Sequence, residues 1–197
     1  MPETKEKSLK EILEEIEEHK CVVQRGLALL DEFIAGPMCG RCLPCPMGSY
    51  EMRVRLKRLS EGEGSEADIE AVREIAPKML ETSMCKKGKD TARFFIDSLE
   101  AVPEEYAAHA GGACPARECR ALFVFRVIPR KCTMCGDCLD VCKDFAIIGE
   151  KRLPGRLGYL PFEIAEKRCT RCGECIKVCK DGAIEIVDIR ETQVVGA

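Results

Sequence analysis

The chain has 197 residues, 33% charged and 5% aromatic, with no tryptophan and a formal net charge of −3. That length holds one or two modest domains, and so few aromatics exclude a large aromatic core, leaving domains that lean on metal or disulfide staples. The acid excess excludes an indiscriminate nucleic-acid binder, and no run of about eighteen apolar residues marks a membrane span.

Residues 1–10 are charged and lack the apolar stretch of a secretory signal. The fifteen cysteines are therefore expected in the cytoplasm, as reduced metal ligands rather than disulfides. Residues 5–35 carry a helical pattern. Leu9, Ile12, Leu13 and Ile16 recur at helical spacing, and a second apolar stretch from Val22 to Ile34 stops at Gly36-Pro37. Cys39, Cys42 and Cys45 follow at once, with Cys85 forty positions after the last. A helix is expected over 47–60, with Met52, Leu56 and Leu59 on one side, then a turn over 61–66. The next helix, around Ile69 to Leu80, contains Pro77, which is expected to kink or split it. Helices over 88–100 and 103–109 complete a small bundle. The segment Gly62-Glu63-Gly64-Ser65-Glu66-Ala67 has the form G-x-G-x-x-A. It follows a helix rather than a strand, and its acids repel phosphate, so it reads as a turn and no nucleotide or flavin site is expected.

His109, Cys114 and Cys119 stand five apart and supply one imidazole and two thiols, a donor set that suits zinc. Zinc there would staple the joint between two halves of the chain. The fourth ligand is open, with Cys21 as one candidate, while His19 reads as a solvated helix residue. The alternative is that His109 ends a helix and the two cysteines are merely buried.

The second half changes character. Leu122 to Ile128 is a β-rich run, followed by an internal repeat of period 37. CTMCGDCLDVCKDFAI begins at Cys132 and CTRCGECIKVCKDGAI at Cys169, with eleven of sixteen positions identical. Each copy reads as cysteine loop, short helix, short strand, and the link from Gly149 to Tyr159 reads as a loop or hairpin. Each copy holds C-x2-C-x2-C-x3-C, the spacing of bacterial [4Fe–4S] ferredoxins, in which the fourth cysteine serves the other cluster. On that rule one cluster takes Cys132, Cys135, Cys138 and Cys179, and the other takes Cys169, Cys172, Cys175 and Cys142. The fourth cysteine is expected to open a helix. Zinc knuckles are the alternative, but they use two cysteine pairs separated by a longer loop. The first triplet with Cys85 fits a third [4Fe–4S] cluster by the same three-plus-one logic, with a zinc site as its alternative.

The motif Cys39-Gly40-Arg41-Cys42-Leu43-Pro44-Cys45-Pro46-Met47-Gly48, with Cys85-Lys86-Lys87-Gly88 some forty residues on, resembles the C-terminal cluster domain of the NADH-binding flavoprotein subunit of respiratory complex I. The same domain occurs in NAD(P)-linked and electron-bifurcating hydrogenases, where a two-cluster ferredoxin domain follows it, as here. The resemblance runs from about Cys21 to Ile189. It departs at Pro46, where the family usually has arginine, and in lacking the FMN- and NADH-binding domain that precedes this region in the family. The chain is therefore expected to be the cluster-bearing tail as a separate subunit, or else a split or truncated form.

The resemblance implies an α+β architecture: N-terminal helices over 1–36, a helical [4Fe–4S] domain over 37–108, a zinc-bound connector over 109–121 and a 2[4Fe–4S] ferredoxin-like domain over 122–197. It implies three [4Fe–4S] clusters and an electron relay between a flavoprotein NAD(P)H-binding subunit and either soluble ferredoxin or a hydrogenase or formate dehydrogenase subunit. A free-standing polyferredoxin-like carrier is the runner-up, and a zinc-stabilised interaction or nucleic-acid module the third reading.

The ferredoxin run usually ends Cys-Pro, but here it ends Cys142-Lys143 and Cys179-Lys180. Lysine restores a backbone N–H and adds positive charge beside the cluster, and both stabilise its more negative, reduced form. Lys143→Pro or Lys180→Pro is expected to lower the potential of the neighbouring cluster in a redox titration.

Overall fold

The computed structural model describes residues 7–155 and 157–190. These divide into two compact units at Leu122/Phe123. The first is helical. Helix α1 (Leu9–Glu15) starts at a capping box, in which the Glu11 N–H donates to Ser8 Oγ and the Ser8 N–H to Glu11 Oε2. The helical pattern over 5–35 is broken rather than continuous: a short 3-10 turn (Ile16–Glu18) leads to an extended His19, and α2 (Val22–Ala35) starts afresh. Residues 5 and 6 of that expected helix lie outside the described residues.

Helix α3 (Pro44–Glu61) begins three residues earlier than the apolar pattern indicates, because Pro44 at its first position has no N–H to lose and a φ already set for a helix. Gly62, left-handed at φ 81°, ends α3, and a capping box between Ser65 and Asp68 starts α4 (Glu66–Thr82). A Cβ on Gly64 would stand 2.7 Å from the Leu59 backbone. The G-x-G-x-x-A pattern thus serves a tight turn between two helices. Asp68 is buried and receives Arg55 at 3.0 Å and Arg58 at 3.3 Å, which locks that turn to α3.

Pro77 neither splits nor ends α4. The ring deletes one backbone hydrogen bond, but α4 packs against both α3 and α5 (Lys86–Ala101), and Val72, Ala76 and Met79 are buried on either side of the proline. Helix α6 (Pro103–Ala110) closes the unit. Phe33, Met52, Leu56, Phe95 and Tyr106 centre a single core that includes residues of α1 through α6. Gly26 of α2 allows close approach, since a Cβ there would meet Phe95 at 2.9 Å and Leu56 at 3.0 Å.

The second unit is built on the repeat. Strand β1 (Phe123–Val127) pairs antiparallel with β4 (Ile184–Asp188), Phe123 opposite Asp188 and Val127 opposite Ile184. Between them lie α7 (Asp137–Val141), β2 (Ile147–Ile148), β3 (Glu163–Ile164) and α8 (Glu174–Val178). Strands β2 and β3 pair antiparallel, so the glycine- and proline-bearing link is the long connection of a hairpin. The two copies match even in their unusual backbone. Met134 and Arg171, 37 positions apart, have φ 55° and 57°, and Gly136 and Gly173 have φ 89° and 81°. Left-handed backbone at a non-glycine costs energy and persists only where its surroundings enforce it, here in both cysteine loops.

One expectation is corrected. Cys142 and Cys179 do not open helices; they cap the C-terminal ends of α7 and α8, while Cys138 and Cys175 sit inside the first turn. The left-handed glycine two residues ahead of the third cysteine forces the helix to start there, and by the fourth cysteine the helix is spent.

Candidate metal centres

The first unit gathers two groups of metal-ligating side chains. Cys39 and Cys42 lie on the loop ahead of α3, Cys45 in its first turn, and Cys85 at the N-cap of α5. Cys39 is exposed and Cys45 buried. Burial pushes the Cys45 thiol up to about 11, and charge on Cys42, Cys85 and Cys39 adds to the shift, so the four sulfurs share one neighbourhood. The structure thus brings together all four residues that the spacing singles out.

The second group is Cys21, His109, Cys114 and Cys119, all buried, with ligand atoms within 4.8 Å of one another. Cys21 Sγ lies 3.2 Å from His109 Nε2 and 3.7 Å from Cys119 Sγ. His109 Nδ1 donates to the Glu105 carbonyl at 2.7 Å, which turns Nε2 toward the sulfurs, the orientation of a metal-ligating imidazole. Burial disfavours the imidazolium, yet hydrogen bonds to Cys114 and Cys21 outweigh it and push His109 up to about 10. Hydrogen bonds from Cys119 and Cys21 pull the Cys114 thiol well below its usual range.

Two further residues hold the group in place. Glu118 accepts the backbone N–H groups of Lys20 at 2.7 Å and Cys21 at 3.2 Å, and Gln24 Nε2 donates to Cys119 Sγ at 3.2 Å. In the sequence Cys21 is no more than a candidate, because it stands 88 positions from His109. Glu118 and Gln24 carry no sequence signal of their own. His19 stays outside the group, partly exposed, 3.5 Å from Glu118.

In the second unit each repeat's triplet meets the other repeat's fourth cysteine. One cleft is lined by Cys132, Cys135, Cys138 and Cys179 with Val127, Phe162 and Ile184. Another is lined by Cys142, Cys169, Cys172 and Cys175 with Phe125, Ile147 and Ile164. Burial pushes the Cys138 and Cys175 thiols each up to about 11, helped by charge on their neighbouring cysteines, and Cys138 is one of those that act on Cys175. The two quartets are therefore adjacent. Backbone N–H groups reach the fourth sulfurs symmetrically, Ala146 to Cys142 Sγ at 3.3 Å and Ala183 to Cys179 Sγ at 3.2 Å.

A reciprocal pair of hydrogen bonds fixes the crossing. Thr133 Oγ1 donates to Asp181 Oδ2 and Thr170 Oγ1 to Asp144 Oδ2, both at 2.6 Å. The residues are equivalent across the 37-residue period, so the loop of each copy is tied to the segment just after the other copy's fourth cysteine. The sequence displays both pairs, in the repeated Cys-Thr and Lys-Asp, but not that they pair across copies.

Comparison with known proteins matches two stretches of the chain to iron–sulfur families. Residues 25–109 match the NADH-ubiquinone oxidoreductase-F iron–sulfur binding region, and residues 162–185 match the 4Fe–4S binding domain. This chain joins those two iron–sulfur modules. It is 32% identical over 140 residues to the NADP-reducing hydrogenase subunit HndC of Solidesulfovibrio fructosivorans, covering 71% of this chain and 28% of that protein. It is 36% identical over 104 residues to a subunit of the NADH-quinone oxidoreductase of Mycobacterium bovis, 52% of this chain and 23% of that protein. It is 33% identical over 67 residues to the beta subunit of the NADP(+)-dependent formate dehydrogenase of Moorella thermoacetica, 34% of this chain and 10% of that protein. The chain thus spans about a quarter of the length of the first two relatives. Among the described residues no helix is long and apolar enough to cross a membrane.

Thr133→Val or Thr170→Val removes one cross-repeat bond and is expected to destabilise the second unit by about 1 kcal/mol. The check is denaturant unfolding together with the rate of iron release to a chelator. Release should be faster in each single variant and fastest in the double.

Proposed function

We propose that this chain is an iron–sulfur electron-transfer subunit that relays electrons between a flavoprotein NAD(P)H-binding subunit and either ferredoxin or a catalytic subunit of the hydrogenase or formate dehydrogenase kind. The observation that carries the reading is the crossed pair of four-cysteine clefts, joined in one chain to a third quartet on helices. Cys132, Cys135, Cys138 and Cys179 would hold one [4Fe–4S] cluster; Cys169, Cys172, Cys175 and Cys142 a second; and Cys39, Cys42, Cys45 and Cys85 a third. The donor sets fit, with four thiols per site and apolar walls on the two clefts.

When bound, such clusters take up and release one electron at a time. The chain's own residues do the rest. Phe125, Phe162 and Ile184 keep water from the clefts, the Ala146 and Ala183 N–H groups direct hydrogen bonds at sulfur, and the Thr–Asp ties hold the two sites side by side. The matched relatives support the setting. They are named as subunits of an NADP-reducing hydrogenase, an NADH-quinone oxidoreductase and an NADP(+)-dependent formate dehydrogenase, so a multi-subunit complex in a thiol-reducing compartment such as the cytoplasm is the natural home.

Cys21, His109, Cys114 and Cys119 are proposed to hold zinc. One imidazole and three thiols, closed and buried, make the donor set of a structural site with no open position for substrate.

Anaerobic purification of a tagged chain from its native cells tests the relay. A flavoprotein subunit should accompany it. A chain that runs alone, at the mass of one copy, is the free carrier instead. Metal analysis of the same sample should find about twelve iron and about one zinc per chain. In His109→Ala zinc should be lost while iron stays, and zinc far below one in the native chain would end the staple.

A further inference from the structure

Ser83 is buried, 2% exposed, and its hydroxyl is among the buried side-chain polar atoms of the described residues that have no hydrogen-bond partner. Its backbone is accounted for, since the N–H donates to the Met79 carbonyl at 3.0 Å and ends α4. A hydroxyl closed off from water and left without a partner is costly, so each such group calls for a partner such as a water, an ion or a ligand.

The surroundings say which ligand. Ser83 stands two residues before Cys85, on the short link from α4 to α5. Gly88, in the first turn of α5, faces it. A Cβ built on Gly88 would lie 3.0 Å from Ser83 Oγ and 3.3 Å from Cys45 Sγ. Gly88 does not have the left-handed backbone that would call for glycine. What requires glycine is the space, which the Ser83 hydroxyl and the Cys45 sulfur share. No acid lies between Gly36 and Tyr50 or between Ser83 and Lys89, and Arg41, Lys86, Lys87 and Lys89 are exposed on these two segments.

We propose that the Ser83 hydroxyl donates a hydrogen bond to sulfur of the group held by Cys39, Cys42, Cys45 and Cys85, and that this bond raises the group's reduction potential. The inference rests on the reading of that quartet as an iron–sulfur site. A donor to sulfur stabilises the more negative, reduced form over the oxidised one, so its loss shifts the midpoint down. Gly88 keeps open the gap through which the hydroxyl reaches.

The test is an anaerobic redox titration of the whole chain followed by EPR. The quartet's signal is first assigned by its loss in Cys85→Ala. If that variant removes no signal, the iron–sulfur reading of the quartet fails, and the inference falls with it. With the signal assigned, Ser83→Ala should lower its midpoint and leave those of the other two clusters in place, while Ser83→Thr, which retains the hydroxyl, should keep the native midpoint. Loss of the signal in Ser83→Ala but not in Ser83→Thr also supports the donor. An unmoved midpoint in a fully loaded Ser83→Ala, or equal loss of the signal in both variants, overturns the proposal.

Discussion

The four ligands of a metal site must converge on one point, and among the described residues no loop supplies more than three members of any of these groups. The tight C-x2-C-x2-C turn is spent after three sulfurs, because the chain runs straight on into a helix that carries it away from their common centre. The fourth has to arrive from elsewhere, and in each group a ligand arrives at a helix end. Cys85 is the N-cap of α5, Cys142 the C-cap of α7 and Cys179 the C-cap of α8. Cys21 is the N-cap of α2. A helix end is rigid, yet its last residue is free of the helical repeat, so the side chain can point out of the element. The fold thus sets each of those four residues at a helix end.

The two units meet this demand with different reserves. The first has a core of its own, from Ile12 through Phe33, Leu56 and Phe95 to Tyr106, which sets the place of Cys85 before any metal arrives. The second has few fully buried apolar residues, and Cys138 and Cys175 are themselves part of its core. There the thiols resist ionisation, since burial and mutual charge push Cys138 and Cys175 up to about 11. A metal bound there would have to displace those protons, and its charge would offset the repulsion that raised them. The first unit shares the trait, since Cys45 is also pushed up to about 11 and lies in its core, but that core has many more apolar residues around it.

The cysteine groups were legible because ligand spacing is a local property. So were most of the helices, since the stop at Gly36 and the turn over 61–66 are each local signals. What stayed hidden depends on contacts between distant segments. The neighbours of α4 hold it together through Pro77, and propensity counts only the lost hydrogen bond. The fourth ferredoxin cysteine closes its helix because left-handed Gly136 and Gly173 set where the helix begins, which spacing alone does not reveal. The Thr–Asp ties and the orphaned Ser83 hydroxyl involve ordinary residues, and their meaning is purely positional.

Cys21 shows the cost of delivering a ligand from afar. It must be brought to a histidine 88 positions away, and closing a loop of that length costs about 4 kcal/mol in chain entropy. Part of the cost is met without metal: α2 packs on α3 and α5, and the Glu118 carboxylate receives both the Lys20 and Cys21 N–H groups, so the start of α2 is docked on the 114–119 segment through that side chain. Those bonds leave the Cys21 sulfur 3.2 Å from an imidazole already turned toward it. The group is thus assembled by the fold rather than by the ion, which makes any metal bound there a lock on a closed loop. Such a lock would sit just ahead of Leu122, where the first unit ends, and would fasten the last segment of that unit to one of its first helices.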